Sequence, residues 1–126
     1  VMYANGEGRL FVANVGDTMA VLSREGRAIE LTERHYAWSR TEMDRLRGLG
    51  GYISMNGLVE GELELTRAVG HLHMLPYLNA CPAVRTVDLT EQDEFIVVGN
   101  WGLWRVLGYQ TAVDIIRKDP GDLALA

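Results

Sequence analysis

The chain has 126 residues, 48% of them hydrophobic and 23% charged, which is globular composition and too apolar for a disordered tail. A formal charge of −5 offers no electrostatic footprint for nucleic acid, which needs clustered Lys and Arg. No apolar run reaches the roughly 20 residues that cross a bilayer, and the single cysteine, Cys81, has no disulfide partner and no Cys or His at metal-ligand spacing.

Val1 to Ala4 is a short apolar run that does not read as a secretory leader. Asn5-Gly6-Glu7-Gly8 follows as a strong turn signal. Leu10 to Val15 reads as a buried strand, and Gly16-Asp17 as the next turn, because glycine tolerates positive φ and aspartate bonds its own neighbouring backbone. Met19 to Leu22 is the next strand, Glu25-Gly26 turns the chain, and Ala28 to Leu31 follows. Three or four strands joined so tightly predict an antiparallel meander.

Ser39 precedes Glu42 by three residues, the spacing of a capping box in which each side chain satisfies the other's free backbone N–H. Met43, Leu46 and Leu49 continue at helical spacing, and Gly50-Gly51 ends the helix. Tyr52 to Met55, Asn56-Gly57 and Leu58-Val59 predict a hairpin with a type I′ turn. Leu63 to Val69 is helical or extended; periodicity does not decide between them. Pro76 and Pro82 bracket an irregular connection. Val84 to Leu89 alternates as a half-buried strand, Glu91-Gln92-Asp93 is a turn, and Phe95 to Val98 predicts a central strand covered on both faces. Leu103 to Leu107 is a short helical turn. Thr111 to Lys118 is a helix with Ala112, Ile115 and Ile116 on one face, stopped by Asp119-Pro120-Gly121. Leu123 to Ala126 reads as the start of another helix, and both ends of the chain read as cut. The fold class is α+β, antiparallel β-sheet flanked by helices.

Four motifs in this order carry a resemblance. Leu10 to Leu22, with Ala13-Asn14-Val15-Gly16-Asp17 at its centre, resembles the "L-x-V-A-N-x-G-D-S-R-A-V-L" of the metal-dependent protein phosphatase 2C family. Leu31-Thr32-Glu33-Arg34-His35 resembles its "L-T-x-D-H", and Leu65-Thr66-Arg67-Ala68-Val69-Gly70-His71 its "L-S-R-A-x-G-D". Asp93 to Leu107 resembles "D-E-F-L-I-L-A-S-D-G-L-W-D-V-L". The resemblance covers nearly the whole chain. It implies a partial phosphatase 2C-like layered sandwich over residues 1–126, lacking the family's N-terminal third, with its "D-G-H-G-G" metal motif, and its C-terminal end.

The departures concern chemistry. The family holds two or three Mg²⁺ or Mn²⁺ ions with aspartates, and the ions activate a water for attack on a phosphoserine or phosphothreonine. At those positions this sequence has Trp101, Arg105 and His71, and Arg34 precedes the family histidine. An indole offers no oxygen, and a guanidinium within about 4–6 Å of a dication is repelled by several kcal/mol even at an effective dielectric near 20. Asp17 alone keeps a family metal position, and reads either as a vestigial ligand or as a cap of its own turn. His71 and His73 lack a third ligand. His35 reads as a turn or surface residue, the set of Trp38, Trp101 and Trp104 as core, and Cys81 as a small buried residue. Arg34, Arg40, Arg45 and Arg47 form a basic cluster about the first helix, read as a solvated face or a partner surface.

Residues 99–104 resemble the "G-N-x-x-L-W" variant of leucine-rich-repeat phosphatases. The stretch from Thr66 through Pro76, Asn79-Ala80 and Pro82 resembles the phosphatase-like domain of fungal leucine-rich-repeat adenylate cyclases more closely. That likeness implies a non-catalytic regulatory segment with no catalytic residue or cofactor of its own. Its parent would be a lyase that forms cyclic AMP from ATP in a separate domain that uses Mg²⁺ or Mn²⁺. Protein partners or other domains of the same chain are expected, with no nucleic acid and no transmembrane segment, in the cytoplasm and peripheral to the membrane through the parent. The alternative is a fragment of an active metal-dependent Ser/Thr phosphatase, or of a leucine-rich-repeat phosphatase.

Overall fold

The computed structural model describes residues 1–119; the helix start expected at Leu123 to Ala126 lies outside the described residues. In chain order the elements are β1 (Met2–Ala4), β2 (Arg9–Asn14), β3 (Met19–Arg24), β4 (Arg27–Glu30), α1 (Arg40–Gly48), β5 (Ala83–Asp88), β6 (Asp93–Gly99), α2 (Trp101–Trp104) and α3 (Tyr109–Lys118), with one 3-10 turn at Leu72–Met74. They fall into two compact units. One comprises Val1–Ala13, Thr18–Thr32 and the described residues from Val84 onward; the other comprises Asn14–Asp17 and Glu33–Ala83. No helix among the described residues is long and apolar enough to cross a membrane.

The first unit is a sheet–sheet–helix stack, and β3 explains why. Its sequence, Met-Ala-Val-Leu-Ser-Arg, shows no polar alternation because both of its faces are covered. Ala20 and Leu22 point one way, into a core with Leu10, Val12 and Leu31, against which Ile29, Val87, Leu89 and Ile96 pack. Met19 and Val21 point the other way, onto Trp104, Ala112 and Val113 of the helices. The strand orders are β1-β2-β5 and β4-β3-β6. β1 pairs antiparallel with β2, and β3 antiparallel with both β4 and β6, so that Leu22 faces Ile29 on one side and Ile96 on the other. Glu25 and Gly26 both take positive φ, 51° and 77°, as a two-residue type I′ hairpin requires.

Three expectations change here. The first four strands are two hairpins in different sheets, not one meander. β3, not β6, is the central strand: β6 is an edge of its sheet among the described residues, with Val98 52% exposed. On α3 the inward face carries Ala112 and Val113, while Ile115 is exposed. Within the β4-β3-β6 sheet, β3 and β6 are also fastened by polar pairs. Arg24 Nε and Nη2 donate to both carboxylate oxygens of Asp93, at 2.6 and 3.1 Å, across the β3–β6 edge. Ser23 Oγ donates to Glu94 at 2.6 Å beside it.

The second unit is built about Ala37, Leu46, Val59, Met74 and Leu78. Ser39 is the N-cap of α1, but its side chain caps no backbone N–H; its hydroxyl meets that of Thr41 at 3.1 Å. The capping box is therefore not formed, and Glu42 is turned into the core instead. At the other end Gly50 takes φ +74°, the Gly51 N–H donates to the Leu46 carbonyl and the Gly50 N–H to that of Arg47. That is the Schellman closure expected of Gly-Gly. The following turn is not type I′. Of Asn56 and Gly57 only Gly57 has positive φ, and the closing bond runs from the Gly57 N–H to the Ser54 carbonyl, one residue earlier than a two-residue loop allows. Residues 63–69 are extended, held by single bridges of Leu63 to Val59, Leu65 to Tyr36 and Arg67 to Asn79.

Candidate functional site

The most strongly organised polar group lies in the second unit, on α1 and the extended segment after it. The Glu42 side chain is 2% exposed. Arg67 Nε donates to both of its carboxylate oxygens at 3.1 Å, and Thr66 Oγ1 donates to Oε2 at 2.6 Å. Arg45 Nη2 adds a third contact at 3.2 Å and also donates to the carbonyls of Thr66 and Tyr77, each at 3.0 Å. Burial pushes the Glu42 carboxyl up. The hydrogen bonds from Arg67 and Thr66 and the two guanidinium charges outweigh it and hold the carboxyl at about 2. Arg67 Nη1 reaches on to the Cys81 carbonyl at 3.0 Å. The carboxylate thus ties α1 to the segment at Thr66 and Arg67, and the two arginines carry the tie on to the carbonyls of Tyr77 and Cys81.

A second tie holds the Gly16-Asp17 turn. The Gly16 N–H donates to His35 Nδ1 at 3.0 Å, and the His35 N–H returns a bond to the Gly16 carbonyl at 2.9 Å. His35 is 4% exposed, so the expected turn role is found and the surface role is not. Burial lowers its pKa, and the nearby Arg67 charge lowers it further. The imidazole accordingly stays neutral, with Nδ1 free to accept. Gly16 has φ +95°, and a Cβ there would stand 3.2 Å from the Arg67 carbonyl, so this turn and the Glu42 tie share a wall.

The residues singled out from sequence are distributed over both units. Asp17 is half-buried and makes no side-chain hydrogen bond to a described residue, so it does not cap its turn; His35 does that work. His71 is exposed in the left-handed region, φ 50°, at the head of the 3-10 turn. His73 is exposed and meets Glu62 at 3.0 Å. Trp101 is half-buried against the core formed by Met19, Val21 and Trp104. Arg105 is exposed at the end of α2. Trp104 is the core tryptophan expected, donating from Nε1 to the carbonyls of Gly99 and Met19 at 2.8 and 3.2 Å. Trp38 is not core; it is 56% exposed. Cys81 is exposed rather than buried.

The four arginines about α1 do not share one face. Arg45 is turned into the Glu42 cluster. Arg34 pairs with Glu64 at 3.4 Å and lies over the Tyr36 ring, 5.1 Å from its centroid. Arg40 and Arg47 remain exposed.

Glu42, Thr66 and Arg67 were not marked as a cluster by sequence. The available signal was an Arg inside an otherwise apolar, motif-bearing stretch, which when buried must find a carboxylate.

Hard divalent cations take oxygen ligands, carboxylates above all. At the four positions where the resemblance implies metal ligands, this chain presents one carboxylate (Asp17), an imidazole (His71), a half-buried indole packed against a core (Trp101) and an exposed guanidinium (Arg105). Of the four, only Asp17 offers the carboxylate oxygens that Mg²⁺ or Mn²⁺ takes. Among the described residues no three His, Cys, Asp or Glu side chains converge to hold a metal ion.

Two antiparallel sheets packed face to face, with helices laid on the outer side of one, define the layered α+β class of metal-dependent phosphatase folds. The chain belongs to the protein phosphatase 2C family, whose model matches residues 1–123. It is 42% identical over 118 residues to an adenylate cyclase of Mycosarcoma maydis and 38% identical over 120 residues to one of Lachancea kluyveri. These alignments cover 93% and 94% of this chain but only 5% and 6% of those enzymes. It is also 44% identical over 117 residues to probable protein phosphatase 2C 27 of Arabidopsis thaliana, covering 88% of this chain and 30% of that protein. Among solved structures, a sex-determining protein of C. elegans superposes with a TM-score of 0.82 at 22% identity, over 89% of this chain and 28% of that one. A serine-threonine phosphatase 2C from Toxoplasma gondii superposes at 0.79 and 24% identity, over 93% and 45%. At such identities the structural likeness concerns the fold.

Proposed function

We propose that this chain is a phosphatase-like segment without phosphatase chemistry, acting as a regulatory and interaction element of a fungal adenylate cyclase whose separate lyase domain forms cyclic AMP. The observation that carries the reading is Trp101. At a position where the family resemblance implies an aspartate ligand, the chain places an indole and packs it against Met19, Val21 and Trp104. A half-buried indole packed against a core cannot give way to a metal ion without losing that packing, and Arg105 four residues on adds a fixed positive charge. The two adenylate cyclase relatives support the parent; leucine-rich repeats upstream, a cytoplasmic site and peripheral membrane association belong to the same proposal.

Calorimetric titration of the intact protein with Mn²⁺, beside a phosphopeptide hydrolysis assay, tests the reading. Heats of no more than weak, non-stoichiometric binding at the phosphatase-like domain, and no phosphate release, are expected. Tight two-site binding with turnover that vanishes on Asp17→Ala would end it. The 44% identity to a plant phosphatase 2C favours the second reading, a fragment of an active metal-dependent Ser/Thr phosphatase or of a leucine-rich-repeat phosphatase, and that same outcome would establish it.

A further inference from the structure

Trp38, Tyr52 and Met55 are left 56%, 59% and 94% exposed, and they are neighbours rather than scattered. With Met43, Arg47 and Ile53 they line one cleft of about 270 Å³ in the second unit. Trp38 also walls a second cleft of about 200 Å³, whose other side carries Arg34, Tyr36 and Glu64. Exposed aromatic and methionine side chains gathered about a concavity are the composition of an interface core, not of ordinary surface.

The platform is set before any partner arrives. A Cβ on Gly57 would stand 2.3 Å from Trp38 Nε1, so the indole lies directly on the Gly57 backbone, which itself takes φ +79°. The turn beneath is closed twice at Ser54, whose carbonyl accepts from the Gly57 N–H at 2.9 Å and whose hydroxyl accepts from the Leu58 N–H at 3.0 Å. A half-exposed tryptophan clamped in this way has little rotamer freedom left to lose on binding.

Charge selects the occupant. Among the described residues Arg47 is the one charged residue lining the larger cleft. Arg40 stands seven residues, two helical turns, earlier on the same side of α1, and both are exposed. Asp44 lies between them on the helix, and Glu60 nearby is engaged by the Tyr52 N–H at 2.6 Å. An apolar cleft that carries a guanidinium at its edge fits an apolar side chain followed by a carboxylate. We infer that this cleft docks an acidic peptide segment of a partner protein, its apolar side chain seated between Trp38 and Met55 and its carboxylate paired with Arg47. The inference goes beyond the absence of phosphatase chemistry and holds with or without metal.

Fluorescence anisotropy of the intact protein, titrated in EDTA with a labelled peptide of one leucine flanked by glutamates, tests it. Saturable binding is expected, weakened at least about tenfold by Trp38→Ala or Arg47→Glu and little changed by Arg27→Glu, which alters net charge equally elsewhere. A matched peptide with lysines for glutamates should fail on the native protein and bind the Arg47→Glu variant. Equal binding of both peptides, no saturation at millimolar concentration, or an Arg27→Glu effect as large as that of Arg47→Glu each overturns the proposal. So does sedimentation showing that Trp38→Ala dissolves a dimer, which would assign the cleft to a second copy. Because chelator is present throughout, failure here is separate from failure of the Mn²⁺ titration.

Discussion

Arg67 and Glu42 meet with the guanidinium edge against the carboxylate, Arg67 Nε lying 3.1 Å from each oxygen and Nη2 also donating to Oε1, and Arg45 approaches the same carboxylate by Nη2 alone. The two arginines are therefore not equivalent. Arg67 uses the fork that only a guanidinium supplies. Arg45 makes its three hydrogen bonds through one nitrogen, while its Nε and Nη1 are buried with no partner among the described residues. Arg67→Lys should cost about 2 kcal/mol or more, and Arg67→Ala about 3–5 kcal/mol by leaving a buried carboxylate uncompensated. Arg45→Lys should cost less than about 1 kcal/mol, since an ammonium can donate three ways from one point. Urea unfolding of the three variants checks the order; equal losses for the two lysine variants would refute the distinction.

The same cluster sets an acid limit. Glu42 titrates near 4.5 when free and at about 2 when folded. A depressed carboxyl pKa stabilises the fold fully above the unfolded value, and that contribution drains away as pH falls from about 4.5 toward 2. A loss of a few kcal/mol is expected across that window. Asp93, held below the usual carboxylate range by its hydrogen bonds from Arg24, titrates in the same sense in the other unit. Comparison with Glu42→Gln isolates the cluster: the variant should start less stable at pH 6 and lose less on acidification. Parallel pH curves for the two proteins would count against the assignment.

His35 gives a second, milder pH response. Its folded pKa lies below the ordinary 6.5 because the ring is buried and faces the Arg67 charge. The unfolded chain therefore takes up the proton first. Stability from this residue is complete above about 6.5 and declines as pH falls toward the folded value. Nitrogen-detected NMR should find the Nε2–H tautomer, with Nδ1 accepting from Gly16, still populated at pH 6. A midpoint at or above 6.5 would contradict the buried acceptor role.

How much of this was legible in the sequence follows from the range of the interactions. Turns at Asn5 to Gly8, Glu25-Gly26 and Gly50-Gly51 were readable because glycine and asparagine act on their own backbone. The strands were readable too, but not their partners. Met19 to Leu22 and Phe95 to Val98 are both continuous apolar runs, and nothing local says that β3 is covered on both faces while β6 ends a sheet. Glu42 misled for the same reason. Its spacing from Ser39 fits a capping box, and only Thr66 and Arg67, more than 20 residues away, draw it inward. The four motifs carried family membership because they recur in order. That Trp101, Arg105 and His71 stand where the family resemblance implies aspartates was visible in residue identity alone; the exposure of Trp38 was not, since it depends on Gly57 passing beneath the ring.

Trp104 offers a test of the first unit. Its Nε1 donates to two carbonyls, those of Gly99 and Met19, which close α2 against the end of β6 and the start of β3. Trp104→Phe keeps the ring in the core but strands both acceptors, so a loss of about 1–3 kcal/mol is expected. Thermal unfolding of the variant measures it. An unchanged midpoint would mean that solvent replaces the indole at both carbonyls.

Gly57 ties backbone conformation to the exposed platform. At φ +79° any other L residue is strained by roughly 1–2 kcal/mol, and a Cβ would also stand 2.3 Å from Trp38 Nε1. Gly57→Ala should therefore destabilise by more than the bare conformational cost, because the indole must leave its seat. Restoring space separates the two effects: in the double variant Gly57→Ala with Trp38→Ala only the conformational part should persist. The interaction energy from the double-mutant cycle is the readout. It should be about 1 kcal/mol or more, with the alanine at position 38 partly rescuing the alanine at 57. Strict additivity would show that the ring and the turn are independent, and the clamp on Trp38 would then have to be abandoned.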